Sequence, residues 1–345
     1  YKESVIKIRG ALLECKSEYV LKAASGDDLF RIDEVRCTDL YTDSLRTATL
    51  FLFRRARVVK FKYTRCESGA SITSVHKESL KDKILVPKKI ISSSAAEAGC
   101  FNAEEFWLKV ELAAGESTLR PNTFVNMSQL THLSLSGSCL EALEGGGHAF
   151  SGADNLVELD LSGNKIGTLQ PNTFVNLTRL RRLRLGGSRL EKIERELFNG
   201  LDSLESLSLS RNRISAISAY AFISLNALKY LDLRGNRLDK LDKDLFRGLD
   251  SLAGLNVCKN GIVTIESSAF IHLASLRFLY MFENEIQSVN ARTFAGLEAS
   301  LEELDLARNK LLLVEAGTFR NLSRLRSLDL SSNHIEMIEE NAFDA

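Results

Sequence analysis

The sequence predicts an α/β solenoid, a curved horseshoe lined on its inner face by one parallel sheet. Three observations predict it. Leucines recur at one spacing of about 24 residues from Leu130 onward, a period that belongs to stacked repeats and not to a single globular core. An asparagine recurs at one fixed place in most periods, and a phenylalanine at another.

The repeat reads L-x-x-L-x-L-x-x-N-x-L-x-x-L, and a clean copy runs Leu228, Leu231, Leu233, Asn236, Leu238, Leu241, with Phe246 and Leu249 behind it. Nine copies start at Leu130, Leu156, Leu180, Leu204, Leu228, Leu252, Leu276, Leu301 and Leu325. The intervals are 24 or 25 residues except the first, which is 26 because Glu144–His148 lengthens one outer turn. Two leucines two residues apart on a short strand share a face, so the pair in L-x-L points inward. Stacked copies pair those strands in parallel at about 4.8 Å. The asparagine stands where the chain leaves the sheet, and its amide can satisfy turn backbone groups that stacking buries. Asn164, Asn212, Asn236, Asn260, Asn284, Asn309 and Asn333 fill that place, with Ser138 and Ser188 as weaker substitutes. The phenylalanine column from Phe124 to Phe343 packs the convex side, each ring burying on the order of 150 to 250 Å². A ring repeated in register is core, not a binding stripe.

Lys plus Arg and Asp plus Glu each number 45, so overall charge gives no argument for nucleic acid or an anionic membrane as partner. No apolar run approaches the roughly 18 residues of a membrane span. The chain opens on Tyr1 without an initiator Met or a signal-like stretch, and stops at Ala345 part-way through a repeat. It is therefore expected to be a piece of a longer protein, touching a membrane only through a missing C-terminal segment.

Residues 1–105 do not hold the pattern and are expected to form an N-terminal cap, with a degenerate repeat as the alternative for part of it. Val59, Phe61 and Tyr63 alternate there with Lys60 and Lys62, as in a strand. Cys15, Cys37, Cys66 and Cys100 also fall in this region and suit disulfides. Three pairings are open, with Cys15–Cys37 and Cys66–Cys100 preferred. No Cys/His spacing of the zinc type occurs, so neither metal nor cofactor is expected. Residues 106–345 are expected to form about ten repeats, the first of them worn. Thr118–Leu130 matches Thr168–Leu180 at nine of thirteen positions, the mark of a local duplication.

With 24 residues and a phenylalanine at the outer turn, residues 106–345 resemble the typical subclass of leucine-rich repeats. That subclass occurs in Toll-like receptor ectodomains and in insect secreted leucine-rich-repeat immune proteins. The longer alternating repeats of the cytosolic ribonuclease-inhibitor type and the G-x-I-P of the plant receptor type are missing. The resemblance implies an extracellular protein-recognition module, a receptor or secreted factor of innate immunity, with a homo- or hetero-dimer open. A cell-adhesion or neuronal-guidance ectodomain uses the same repeats, and an intracellular structural scaffold is the reading from a different class. Three N-x-[ST] acceptors, at Asn126, Asn176 and Asn321, all sit two residues after the phenylalanine. Any glycans there would lie on the outer turns.

A solenoid of this kind binds with the residues between its leucines, which form ladders on the inner face. Two patches stand out as sites for a protein or glycoprotein ligand. Arg182 and Arg184 crowd one repeat with Arg181 and Arg189, flanked by Lys165, Arg211 and Arg213. Phe278, Tyr280 and Phe282 stand together, with Tyr230 and Asp232 two repeats earlier. Arginines and aromatics are enriched at binding hot spots, and an exposed aromatic patch is otherwise a liability. The competing reading of the arginines is that they pair with acidic residues on neighbouring strands. Cys139 and Cys258 should lie five strands apart, about 24 Å, beyond the roughly 7 Å that a disulfide spans. Either both stay free or one pairs with another chain.

No enzyme is expected. The five histidines are scattered, no Ser or Cys stands in a nucleophile elbow, and Gly145-Gly146-Gly147 lacks the following Lys-Ser/Thr of a phosphate loop.

Overall fold

The computed structural model describes residues 130–343 continuously, 117–119, 121, 123 and 124 before them, and the backbone of the strands between Ile8 and Leu112. The four cysteines expected to bridge the cap, Cys15, Cys37, Cys66 and Cys100, lie outside the described residues, as does Asn126.

One sheet of twelve strands organises the molecule. Its members are β1 (Ala56–Thr64), β2 (Ser71–Ile72), β3 (Glu105–Leu112), β4 (His132–Ser134), β5 (Glu158–Asp160), β6 (Arg182–Arg184), β7 (Ser206–Ser208), β8 (Tyr230–Asp232), β9 (Gly254–Asn256), β10 (Phe278–Tyr280), β11 (Glu303–Asp305) and β12 (Ser327–Asp329). From β3 to β12 every neighbour is parallel and in register, so that Leu133, Leu159 and Leu183 stand side by side. The sequence period sets this register directly: each coil returns to the sheet after 24 to 26 residues, and the strands pair in register whichever the length. At the N-terminal edge β1 pairs antiparallel to β3, and β2 to β1.

The solenoid with a parallel inner sheet is the architecture expected from the repeat. Its outer arc is made of turns and two-residue strands, such as Lys192–Ile193 beside Ala216–Ile217. Among the described residues the one helical turn is Gly146–His148, inside the lengthened repeat. That extra turn is seated on its neighbours: a Cβ on Gly145 would come 2.4 Å from Pro121 Cγ, and the Asn176 amide donates to the Gly147 carbonyl at 2.9 Å.

The core is a continuous column. Central strand leucines from Leu133 to Leu304 are at most 2% exposed. Behind them the phenylalanine rings stack in register, with centroids 5.9 Å apart for Phe150 and Phe174 and 5.8 Å for Phe294 and Phe319. The asparagine ladder closes the corner. Asn236 Nδ2 donates to the carbonyls of Leu209 and Leu233, at 3.0 and 2.8 Å, and its Oδ1 accepts from Ile214 N at 3.1 Å. Asn164, Asn212 and Asn333 repeat that set.

Ser188 interrupts the ladder, and its hydroxyl is buried without a hydrogen-bond partner. Ser188→Asn is expected to raise stability by about 1 kcal/mol, since it restores an amide to a site shaped for one. Chemical denaturation checks this; an unchanged or lower midpoint would contradict the ladder's role.

Candidate functional site

The inner face is built from the residues that alternate with the buried leucines. On β6 the pattern is exposed, buried, exposed, which puts Arg182 and Leu183 on opposite faces. Parallel pairing then sets Arg182 beside Glu158 and Arg184 beside Asp160.

Both arginines turn to Glu158. Arg182 Nε donates to one carboxylate oxygen at 2.9 Å, and Arg184 Nη1 donates to the other. The Glu158 side chain is 8% exposed. Burial pushes its carboxyl up, but the hydrogen bonds and charges of Arg182 and Arg184 outweigh that and hold it below the ordinary value of 4.5. Arg181 faces Glu205 at 3.5 Å. The arginine cluster therefore divides. Its inner-face members are tied to carboxylates, whereas Arg189, Arg211 and Arg213 stand on the edge, outside those pairs.

A depressed carboxylate pKa contributes stability that is present above the unfolded pKa and is lost as pH falls through the folded one. Glu158→Gln should cost roughly 1 to 2 kcal/mol at pH 7. The gap from the parent should close as pH drops below 4.5. A pH-independent difference in melting would contradict the pairing.

The aromatic patch is more open. Tyr230, on β8, is 54% exposed. Its ring lies over Gly254 on β9, where a Cβ would meet Tyr230 Cδ1 at 3.0 Å. Gly254 in turn pairs with Phe278 on β10. The missing side chain at 254 thus lets Tyr230 and Phe278 share one platform across three strands. Arg277 stacks on Phe278, 5.1 Å from the ring centroid, and is fixed there by a two-pronged pair with Glu302 at 2.9 Å on each prong. The Tyr280 hydroxyl donates to Glu303 Oε2 at 3.2 Å. Phe282, past the end of the strand, has the cations of Arg234 and Lys259 at 5.7 and 5.9 Å from its centroid. Asp232 accepts from Arg234 N at 3.0 Å, holding the turn that delivers Arg234.

Carboxylates flank this platform. Burial, with Asp329 and Glu303 nearby, pushes the Asp305 carboxyl above its usual range, although the Ala307 amide offsets part of that. Gly254 and Asp305 escape a search for arginines and aromatics, and Arg234 stands apart from the arginine cluster that the search finds. Only the columns of the repeat, read side by side, could have pointed to them.

The structure separates the two remaining cysteines. Cys139 is exposed, and Cys258 is fully buried. Burial pushes the Cys258 thiol up to about 12, which removes the thiolate that disulfide exchange needs. Of the two, the exposed Cys139 is the more accessible to a second chain. Asn176 and Asn321 are exposed on the outer turns, on the side away from the sheet. Among the described residues no group of His, Cys, Asp and Glu could hold a metal ion, and no helix is long and apolar enough to cross a membrane.

Comparison with known proteins agrees with this geometry. The family described as Leucine rich repeat matches residues 146–190, 178–238, 227–286, 251–300 and 299–345. Among solved structures, a crystal structure of a TLR13–ssRNA13 complex is similar at 28% identity and a TM-score of 0.61, over 65% of this chain and 32% of that one. An octameric complex of latrophilin 3, Unc5D and FLRT2, the last represented by its leucine-rich repeats, is similar at 26% identity and a TM-score of 0.53. There the match covers 62% of this chain and 65% of the other. The chain thus spans about a third of the first structure's chain and under two thirds of the second's. No curated protein sequence matches significantly.

Proposed function

The chain belongs to the leucine-rich-repeat family, a partner-binding scaffold, and from that premise we propose that it is an extracellular module that holds a protein or glycoprotein ligand on its inner face. One observation carries the reading. On the inner sheet Tyr230 is 54% exposed, and the half-buried rings of Phe278, Tyr280 and Phe282 stand beside it as an aromatic platform. Rings at a rigid sheet surface bury large areas at low entropy cost, which is why they dominate binding energy. Arg182, Arg184 and Asp232 form the polar margin of that contact.

The parent protein is a receptor or secreted factor of innate immunity. The similarity to the TLR13 chain supports this setting. Cell adhesion is the second reading, supported by the likeness to FLRT2, whose complex contains latrophilin 3 and Unc5D. Carbohydrate on Asn176 and Asn321 would sit on the outer turns and leave the sheet free, and the cap cysteines would be oxidised in the same compartment.

The test is the mass of the protein secreted from animal cells with its natural termini, before and after glycan removal and reduction. Loss of glycan from peptides containing Asn176 or Asn321, and retarded mobility on reduction, are expected. A protein that stays inside the cell with neither glycan nor disulfide would instead be an intracellular scaffold.

A further inference from the structure

The corner where the chain leaves the sheet carries an uneven charge pattern. In the four repeats opening at Leu156, Leu180, Leu204 and Leu228, the positions on either side of the ladder residue hold Lys165, Arg189, Arg211, Arg213 and Arg237 and no carboxylate. Lys165 has a distant partner in Glu141, at 3.9 Å. The four arginines are exposed and make no ion pair among the described residues. In the next four repeats the same positions hold Lys259, Arg308 and Lys310, and all three are paired, to Glu283 at 2.9 and 3.4 Å and to Glu285 at 3.0 Å. One half of the edge is neutralised and the other is not.

The unpaired half is also regular. Arg189 N donates to Ile166 O at 2.9 Å, Arg213 N to Leu190 O at 2.9 Å and Arg237 N to Ile214 O at 2.8 Å. This fixes one guanidinium-bearing residue per coil, about 4.8 Å apart. Arg211 lies between them with φ +55, at a place where Gly163, Gly187 and Gly235 take the left-handed conformation. Its stem lies beside Gly235, where an added Cβ would sit 3.6 Å from Arg211 Cγ. Lys259, Glu283, Arg308 and Ser332 take the same conformation at that place in the later repeats.

We propose that this edge binds a sulfated glycosaminoglycan chain. A row of arginines, one per coil in three successive coils, matches a stiff, linear polyanion, and guanidinium forks grip sulfate oxygens two at a time. Single-stranded nucleic acid is the competing polyanion, but its sites join a basic groove to rings on which bases stack. The residues flanking the ladder in these four repeats include no aromatic. Glu191 and Asp239, each two residues beyond an edge arginine, limit the row to this width. The row lies beside the aromatic platform and not on it, so the polysaccharide and a protein ligand can be held together. This inference stands apart from the protein-ligand reading, and either can fail alone.

The experiment is binding of the full chain to immobilised heparin across a salt series. The variants are Arg189→Ser/Arg213→Ser/Arg237→Ser and, with the same charge change, Lys259→Ser/Arg308→Ser/Lys310→Ser. Thermal melts confirm that each is folded, and Arg213→Ser alone replaces the first triple if it is not. The edge triple should bind about tenfold more weakly and with a shallower salt dependence, as fewer counterions are released. The paired-cation triple should stay close to the parent, and mixed-sequence single-stranded RNA should not displace the heparin. No retention of the parent chain at physiological salt, or an equal loss in both triples, would overturn the proposal. Displacement by RNA would reassign the edge to nucleic acid.

Discussion

Phe270→Ala is expected to destabilise the chain by about 3 to 5 kcal/mol. The ring is fully buried and stacks between Phe246 and Phe294, with centroids at 6.1 and 6.4 Å. Each coil of a solenoid touches only its neighbours, so no distant part of the core can collapse into the cavity. The loss should also weaken coupling between the coils on either side. A single melting transition should broaden or split, with the C-terminal coils unfolding first. Calorimetry reads both effects. Parent-like melting would show that the phenylalanine column is not the convex core.

Gly200→Ala should cost roughly 3 kcal/mol, through two separable causes. Gly200 has φ +81, which an L side chain rarely adopts, and a Cβ there would come 2.1 Å from the Val175 carbonyl oxygen. The obstacle is backbone, so it cannot rotate away. Gly137 separates the causes: it has φ +69 and nothing within 4 Å of an added Cβ. Gly137→Ala should therefore show only the conformational part, about 1 kcal/mol. Urea midpoints give the comparison, and equal costs at the two glycines would contradict close packing of the outer turns. Gly248 and Gly296 make the same approach to Ile223 and Ile271, so the contact is a property of the repeat.

The repeat made most of this fold readable from sequence, because its register is local. The spacing from Leu228 to Leu252 decides which residues become neighbours, with no long-range folding problem to solve. The asparagine ladder, the phenylalanine column and even the weak place at Ser188 followed from columns alone. The binding face was readable as a set of positions but not as a site. Glu158 stands next to Arg182 in the columns, yet only side-chain reach shows that Arg184 crosses to the same carboxylate. The Tyr230 platform depends on the side chain that Gly254 lacks, and composition gives no weight to a missing atom. Cys258 reads as an inner-face residue by position, yet it is fully buried. The unpaired edge at Arg189, Arg213 and Arg237 became visible once other cations were matched to their carboxylates.

The most direct test of the account is binding of the chain to a panel of extracellular domains, comparing two double variants. Tyr230→Ala/Phe278→Ala removes the platform on the inner face. Ile223→Ala/Ile271→Ala removes the same kind of exposed apolar surface from the outer turns, where each isoleucine is 42% exposed. The account predicts that the first double loses at least about 2 kcal/mol, roughly thirtyfold in affinity, for the domain that the parent binds. The second should bind as the parent does. Undiminished binding by the platform variant, or loss confined to the outer-turn variant, would contradict recognition by the inner face.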